Sequence, residues 1–126
     1  MKVLNIIECA YRATIEEQDD TIVWLTHAMK AAGADLALLL RGNAVNYAAR
    51  GQDAAGLAFG GWRQTQPPRL ANDVASLVAK GVTVYVLAED LVQRGLEAHE
   101  LVPGLERVTG DNLPGLLAAH DQIWHW

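Results

Sequence analysis

Three short, nearly continuous apolar runs, at residues 3–7, 36–40 and 82–86, constrain this chain more than any other feature. They do not alternate apolar with polar. A strand that faces water on one side alternates; a strand covered on both faces does not. Patterns of helical period separate the runs. Thr14 with Glu17 three residues on forms a capping-box signature, and Ile15, Ile22, Leu25 and Met29 follow at helical spacing up to Gly33. Asn43 stands where the N-cap of a short helix through Ala49 would stand, with Gly51 beyond it. Leu70, Val74, Leu77 and Val78 mark one face of a further helix closed by Gly81. Glu89 and Asp90 open another, ended by Gly95. A weaker strand is expected over 105–108, then a helix with Asp111 as N-cap, and a last strand over 122–126. Residues 50–69 are Gly-rich and show no period. Strand–helix alternation with short connections implies one domain over residues 1–126, a parallel sheet with helices on both faces.

Composition narrows the function. Hydrophobic residues make up 51% and charged residues 20%, as in a folded globular protein. Fifteen Asp and Glu against 10 Lys and Arg leave a net charge of −5, which argues against a nucleic-acid partner. No apolar run approaches the ~20 residues that span a bilayer. The opening residues run into Glu8 without a secretory pattern, so a cytoplasmic location is expected. One cysteine excludes an internal disulfide and a cysteine-based zinc cage. GxGxxG, GxxxxGK[ST], GxSxG and HExxH are absent, so no cofactor is expected. His120 and His125 flank Asp121, but a helix-to-strand break separates them and no metal site is expected.

In open parallel sheets ligands bind beyond the carboxyl ends of the strands. That rule selects Glu8-Cys9-Ala10-Tyr11-Arg12, Arg41-Gly42-Asn43 and Leu87-Ala88-Glu89-Asp90. Cys9 has nucleophilic potential; a free cysteine is either inert packing or a working thiol, and the residues leave both open. Arg41 and Asn43 read as a loop with an N-cap or as an anion site. Glu89 and Asp90 read as helix-dipole partners or as an acid–base pair. Trp62, with Phe59 and Arg63 beside the Gly60-Gly61 pair, sits in a loop that a single core rarely reaches. Subunit contact and intrachain packing explain it equally.

The opening MKVLNII strand, the helix end Lys30-Ala31-Ala32-Gly33-Ala34-Asp35 and the Leu40-Arg41-Gly42-Asn43-Ala44-Val45 turn together resemble the DsrE/DsrF-like family of sulfur-relay proteins. Gly81 to Val86 with Arg94-Gly95-Leu96, and the closing Asp121-Gln122-Ile123-Trp124-His125-Trp126, extend the resemblance over nearly the whole chain. It implies a three-layer α/β/α fold with a mainly parallel five-stranded sheet, assembled into trimers or hexamers. It also implies a cysteine at the end of the third parallel strand. Here that stretch is Tyr85-Val86-Leu87-Ala88-Glu89-Asp90, without one, which leaves Cys9 on the neighbouring strand end as the candidate thiol.

The leading expectation is therefore a DsrE-like oligomer in intracellular sulfur transfer or oxidation, as carrier through Cys9 or as a partner of other relay proteins. Tyr11, Arg12, Arg41, Asn43, Glu89 and Asp90 would line its ligand site, and Phe59, Trp62 and Arg63 its subunit contact. The alternative is a non-catalytic module that holds a small anion or metabolite between Arg41, Asn43 and Arg63. Third comes a hydrolase or transferase in which Glu8 and Glu89 converge.

Overall fold

The computed structural model describes residues 1–11, 20–53 and 55–126. Five strands form one sheet: β1 (Lys2–Ile7), β2 (Asp35–Leu40), β5 (Thr83–Leu87), β6 (Glu106–Val108) and β7 (Gln122–His125). Their spatial order is β6-β5-β2-β1-β7, and every adjacent pair is parallel. The three apolar runs of the sequence are thus the three inner strands. β1 and β2 are buried at every residue after the first. Leu38 and Val84 are completely enclosed. β5 is less covered than its composition suggests, because Thr83 and Tyr85 stay half-buried.

The reason is an uneven coat of helices. One face carries α1 (Thr21–Ala31), a 3-10 helix over Gly42–Ala48, α2 (Leu70–Ala79) and α3 (Ala88–Gln93). Ile22, Val23, Val45, Tyr47, Val74, Leu77 and Leu91 meet Ile7, Leu38, Leu40, Val84 and Val86 there in the main core. On the other face Leu4, Ile6, Ala37 and Leu39 form a smaller core against Leu113 and Leu116 of α4 (Leu113–Ala118). Six residues of helix cover less than the three helices and the 3-10 turn opposite, so Tyr85 remains partly wet.

Several helix ends differ from the sequence reading. α1 starts at Asp20, whose buried carboxylate accepts the N–H groups of Ile22 and Val23 at 2.8 and 3.2 Å. The Thr14–Glu17 capping box and Ile15 lie outside the described residues. Within α1 the fully buried positions are Ile22, Val23 and Thr26, while Leu25 and Met29 are half-buried. Thr26 serves Asn5, the polar residue inside β1: Asn5 Nδ2 donates to Thr26 Oγ1 at 3.0 Å. Asn43 does not cap the 3-10 helix, for its side-chain oxygen faces Arg94 instead. Just before α4, Thr109 and Asn112 make the reciprocal cap of a 3-10 turn over Gly110–Asn112, in place of Asp111.

The Gly-rich stretch is more ordered than its lack of period implies. It contains a hairpin of β3 (Ala58–Phe59) and β4 (Trp62–Arg63), turned through Gly60 at φ +53°. A two-residue turn of this kind needs positive φ, which glycine adopts without strain.

Candidate functional site

The carboxyl ends of β1, β2 and β5 are inner positions of the sheet, so the loops after them share one rim. Backbone bonds extend the strand pattern by a residue: Arg41 N–H donates to the Ile7 carbonyl, and Glu8 N–H to the Trp126 carbonyl, both at 3.0 Å. Glu8 therefore continues β1 between Arg41 on one side and the end of β7 on the other.

Glu8 is already engaged. His125 Nε2 donates to its Oε2 at 2.6 Å. The two side chains are 43% and 53% exposed, so the pair contributes at most about 1 kcal/mol to stability. Glu8 also lies against Gly42: a Cβ at Gly42 would meet Glu8 Cγ at 2.8 Å and its carbonyl oxygen at 3.2 Å. With φ at +55°, this position suits glycine on two counts.

Cys9 follows, an exposed free thiol just past the central strand β1. Two residues on, Tyr11 takes the left-handed region at φ +57°, unusual for a side chain of its size. A hydrogen-bond network anchored on buried Tyr47 holds it. The Tyr11 N–H donates to the hydroxyl of Tyr47, and the two rings meet edge to face at 5.5 Å. Tyr47 in turn donates to Asp20 Oδ2 at 2.7 Å. The Tyr11 hydroxyl donates to Gln52, whose amide is fixed on the carbonyls of Asn46 and Ala49. Burial and the neighbouring Asp20 carboxylate push the Tyr47 hydroxyl far above its ordinary pKa.

The carboxylates after β5 serve the backbone. Asp90 Oδ2 accepts the Gly42 N–H at 2.6 Å, and Glu89 Oε1 accepts the Gly110 N–H at 2.8 Å. The bond from Gly110 holds the Glu89 carboxyl below the usual range. Arg94 grips Asn43 Oδ1 through Nε and Nη2 at 3.1 and 2.9 Å and stands 3.8 Å from Asp90. Thus Asp90, Gly42, Asn43 and Arg94 form one connected corner that joins the 3-10 helix after β2 to α3 after β5. Arg41 is different: it is half-buried, and its Nε is buried without a hydrogen-bond partner among the described residues.

Of the residues singled out from sequence, Cys9, Tyr11 and Arg41 follow the strand ends at this rim, Asn43 lies in the first turn of the 3-10 helix, and Glu89 and Asp90 in the first turn of α3. Arg12 lies outside the described residues. Phe59, Trp62 and Arg63 belong to the hairpin, where the Phe59 and Trp62 rings stack at 5.8 Å with an interplanar angle of 21°. Phe59 is 63% exposed and Trp62 39%. Sequence reasoning missed Asp20, Tyr47, Gln52 and the tether of His125. Asp20 carried a signal, an N-cap type just before a helical pattern. His125 and Glu8 are 117 positions apart, and no local pattern links them. Among the described residues no group of three His, Cys, Asp or Glu is placed to hold a metal ion. Among the described residues no helix is long and apolar enough to cross a membrane.

No family model matches the chain, and no curated protein matches it. Among solved structures, the crystal structure of the YchN protein from E. coli is similar, with a TM-score of 0.71 at 19% sequence identity. The likeness covers 99% of this chain and 98% of that one. At such identity it speaks for the fold. YchN is a DsrE-like fold protein. The five-stranded parallel sheet, its helices and this neighbour together give the chain the DsrE-like α/β fold.

Proposed function

We propose that this protein is a single-domain sulfur carrier of the DsrE-like kind, with Cys9 as the acceptor. The observation that supports this reading is the position of its one thiol. Cys9 is exposed at the carboxyl end of an inner strand, where sheets of this class bind ligands. In the step, the Cys9 thiolate attacks the outer sulfur of a donor persulfide. The donor S–S bond breaks, its electron pair leaves on the donor thiolate, and Cys9 carries the transferred sulfur as its own persulfide. No external oxidant or reductant is needed. A reducing cytoplasm would keep Cys9 free for this exchange, and other relay proteins would supply and receive the sulfur. Self-association through the Phe59, Trp62 and Arg63 hairpin accompanies the reading, since stacked aromatic rings this exposed gain from a partner surface.

Whole-protein mass spectrometry after incubation with a low-molecular-weight persulfide tests the reading. A gain of about 32 Da, one sulfur atom, that is reversed by a reductant and absent from Cys9→Ser supports it. An unchanged mass overturns it.

One observation favours the second reading, a non-catalytic binding module. The Nε of half-buried Arg41, without a partner among the described residues, leaves a donor for a small anion or metabolite. Saturable binding of an oxyanion at matched ionic strength, lost in Arg41→Gln, with no sulfur gained on Cys9, would select it.

A further inference from the structure

The two edges of the five-stranded sheet are built differently. β6 presents Glu106 and Arg107, charges of the kind that blunt an open edge against pairing. β7 reads Gln-Ile-Trp-His and carries no lysine, acid or proline. It bonds β1 on one side, and no strand among the described residues lies on the other.

The register shows which backbone groups that edge offers. Trp126 N–H donates to the Ile6 carbonyl and the Trp126 carbonyl accepts from Glu8, so residue 126 faces β1. Strand groups alternate, so residue 124 faces β1 as well, and the N–H and C=O groups of Ile123 and His125 point outward. Side chains follow the same alternation. Trp124 aligns with Asn5, whose amide bonds Thr26 of α1, and therefore lies on the α1 face. Ile123 and His125 align with Leu4 and Ile6 on the α4 face. Ile123 is 41% exposed, and Leu117 of α4 is 38% exposed.

We propose that β7 pairs antiparallel with β7 of a second copy of this chain, about a two-fold axis at Trp124. In that register Ile123 faces the partner's His125 and His125 faces the partner's Ile123. These are the hydrogen-bonded pairs of an antiparallel ladder, so every outward group of the two residues is satisfied on both copies. Trp124 meets its own copy in the intervening non-bonded position, an aromatic cross-strand pair with Cα atoms about 4.5 Å apart. The strand fits itself because the contact is isologous and brings no like charges together. The proposal stands apart from the sulfur-carrier reading and from the hairpin contact. If the hairpin builds a ring, this two-fold doubles it.

Two measurements test it. Amide hydrogen exchange on the unaltered protein should show Ile123 and His125 slowed at least ~10-fold relative to unstructured chain at high concentration, and released on dilution. In a Cys9→Ser background, Trp124→Cys should cross-link to a covalent dimer on mild oxidation, because the Cα separation suits a disulfide. Gln122→Cys in the same background should not, since its two copies lie four register positions, about 13 Å, apart. Free exchange of both amides at high concentration overturns the proposal. So does protection unaffected by dilution with no cross-link, which would place another occupant on the edge. An oligomer that assembles while both amides exchange freely would place the contact elsewhere and overturn it too.

Discussion

The hydroxyl of Tyr47 donates to the carboxylate of Asp20 at 2.7 Å, and both side chains are completely buried. One oxygen of Asp20 thus caps α1 while the other anchors the residue that holds Tyr11. Tyr47→Phe keeps the ring and leaves Asp20 Oδ2 without a donor. Expected is a loss of about 1–3 kcal/mol in chemical denaturation, the cost of orphaning a buried polar group. The pH dependence has a definite sign. The folded state raises the Tyr47 pKa above the ordinary value of about 10, so the native protein keeps a proton that the unfolded chain releases. Stability from this group is complete below about pH 10 and is lost as pH climbs above it. Denaturation midpoints between pH 8 and 12 should fall more steeply for the native sequence than for Tyr47→Phe. Parallel slopes would contradict this account.

Glu89 is fully exposed, and its lowered pKa rests on the Gly110 N–H. Gly110→Pro removes that donor at the first position of a short helix, where proline is tolerated. Thr109 before it is already extended, as a residue preceding proline must be. Carboxyl NMR titration should place Glu89 below about 4.3 in the native protein and return it toward that value in Gly110→Pro. By linkage, the native contribution is present above about pH 4.3 and fades as pH falls through the folded pKa. A midpoint unmoved by the substitution would assign the shift to another cause.

Gly42→Ala joins two penalties at one position. The left-handed backbone costs a side chain about 1–2 kcal/mol, and the new Cβ collides with Glu8. A thermal midpoint lower by roughly 3–10 °C is expected for a domain of this size. Displacement of Glu8 should also release His125 from its 2.6 Å contact, seen as changed imidazole chemical shifts at one fixed pH in the variant. Unaltered imidazole shifts would show that Glu8 adapts without leaving its partner.

The hairpin carries the last expectation. Phe59 and Trp62 expose stacked rings, and each fully covered aromatic side chain contributes roughly 1.5–3 kcal/mol. Trp62→Ala should shift sedimentation at micromolar concentration toward smaller species. An unaltered protein that sediments as a ~14 kDa monomer across that range removes the hairpin contact from consideration.

By itself the sequence determined the layer order of this protein's interior. Residues 3–7, 36–40 and 82–86 are nearly continuous apolar runs, and such runs take the inner places of a sheet, although Thr83 and Tyr85 stay half-buried on the side that α4 covers less. Helix ends marked by glycine were equally legible at Gly33, Gly81 and Gly95, because positive φ is a local demand that one residue type meets. Polar roles were not legible in the same way. Asn43 and Asp111 have the chemistry of N-caps, yet Asn43 turned to Arg94 and Thr109 took the cap ahead of Asp111. Glu89 and Asp90 look alike in sequence, but each accepts an N–H from a different glycine on a different loop. A polar side chain takes the best partner within its reach, and reach depends on which strand ends the fold sets side by side. Only the tertiary structure brought His125 to Glu8 and Tyr47 between Tyr11 and Asp20, since chain separation encodes no distance once strands are ordered β6-β5-β2-β1-β7.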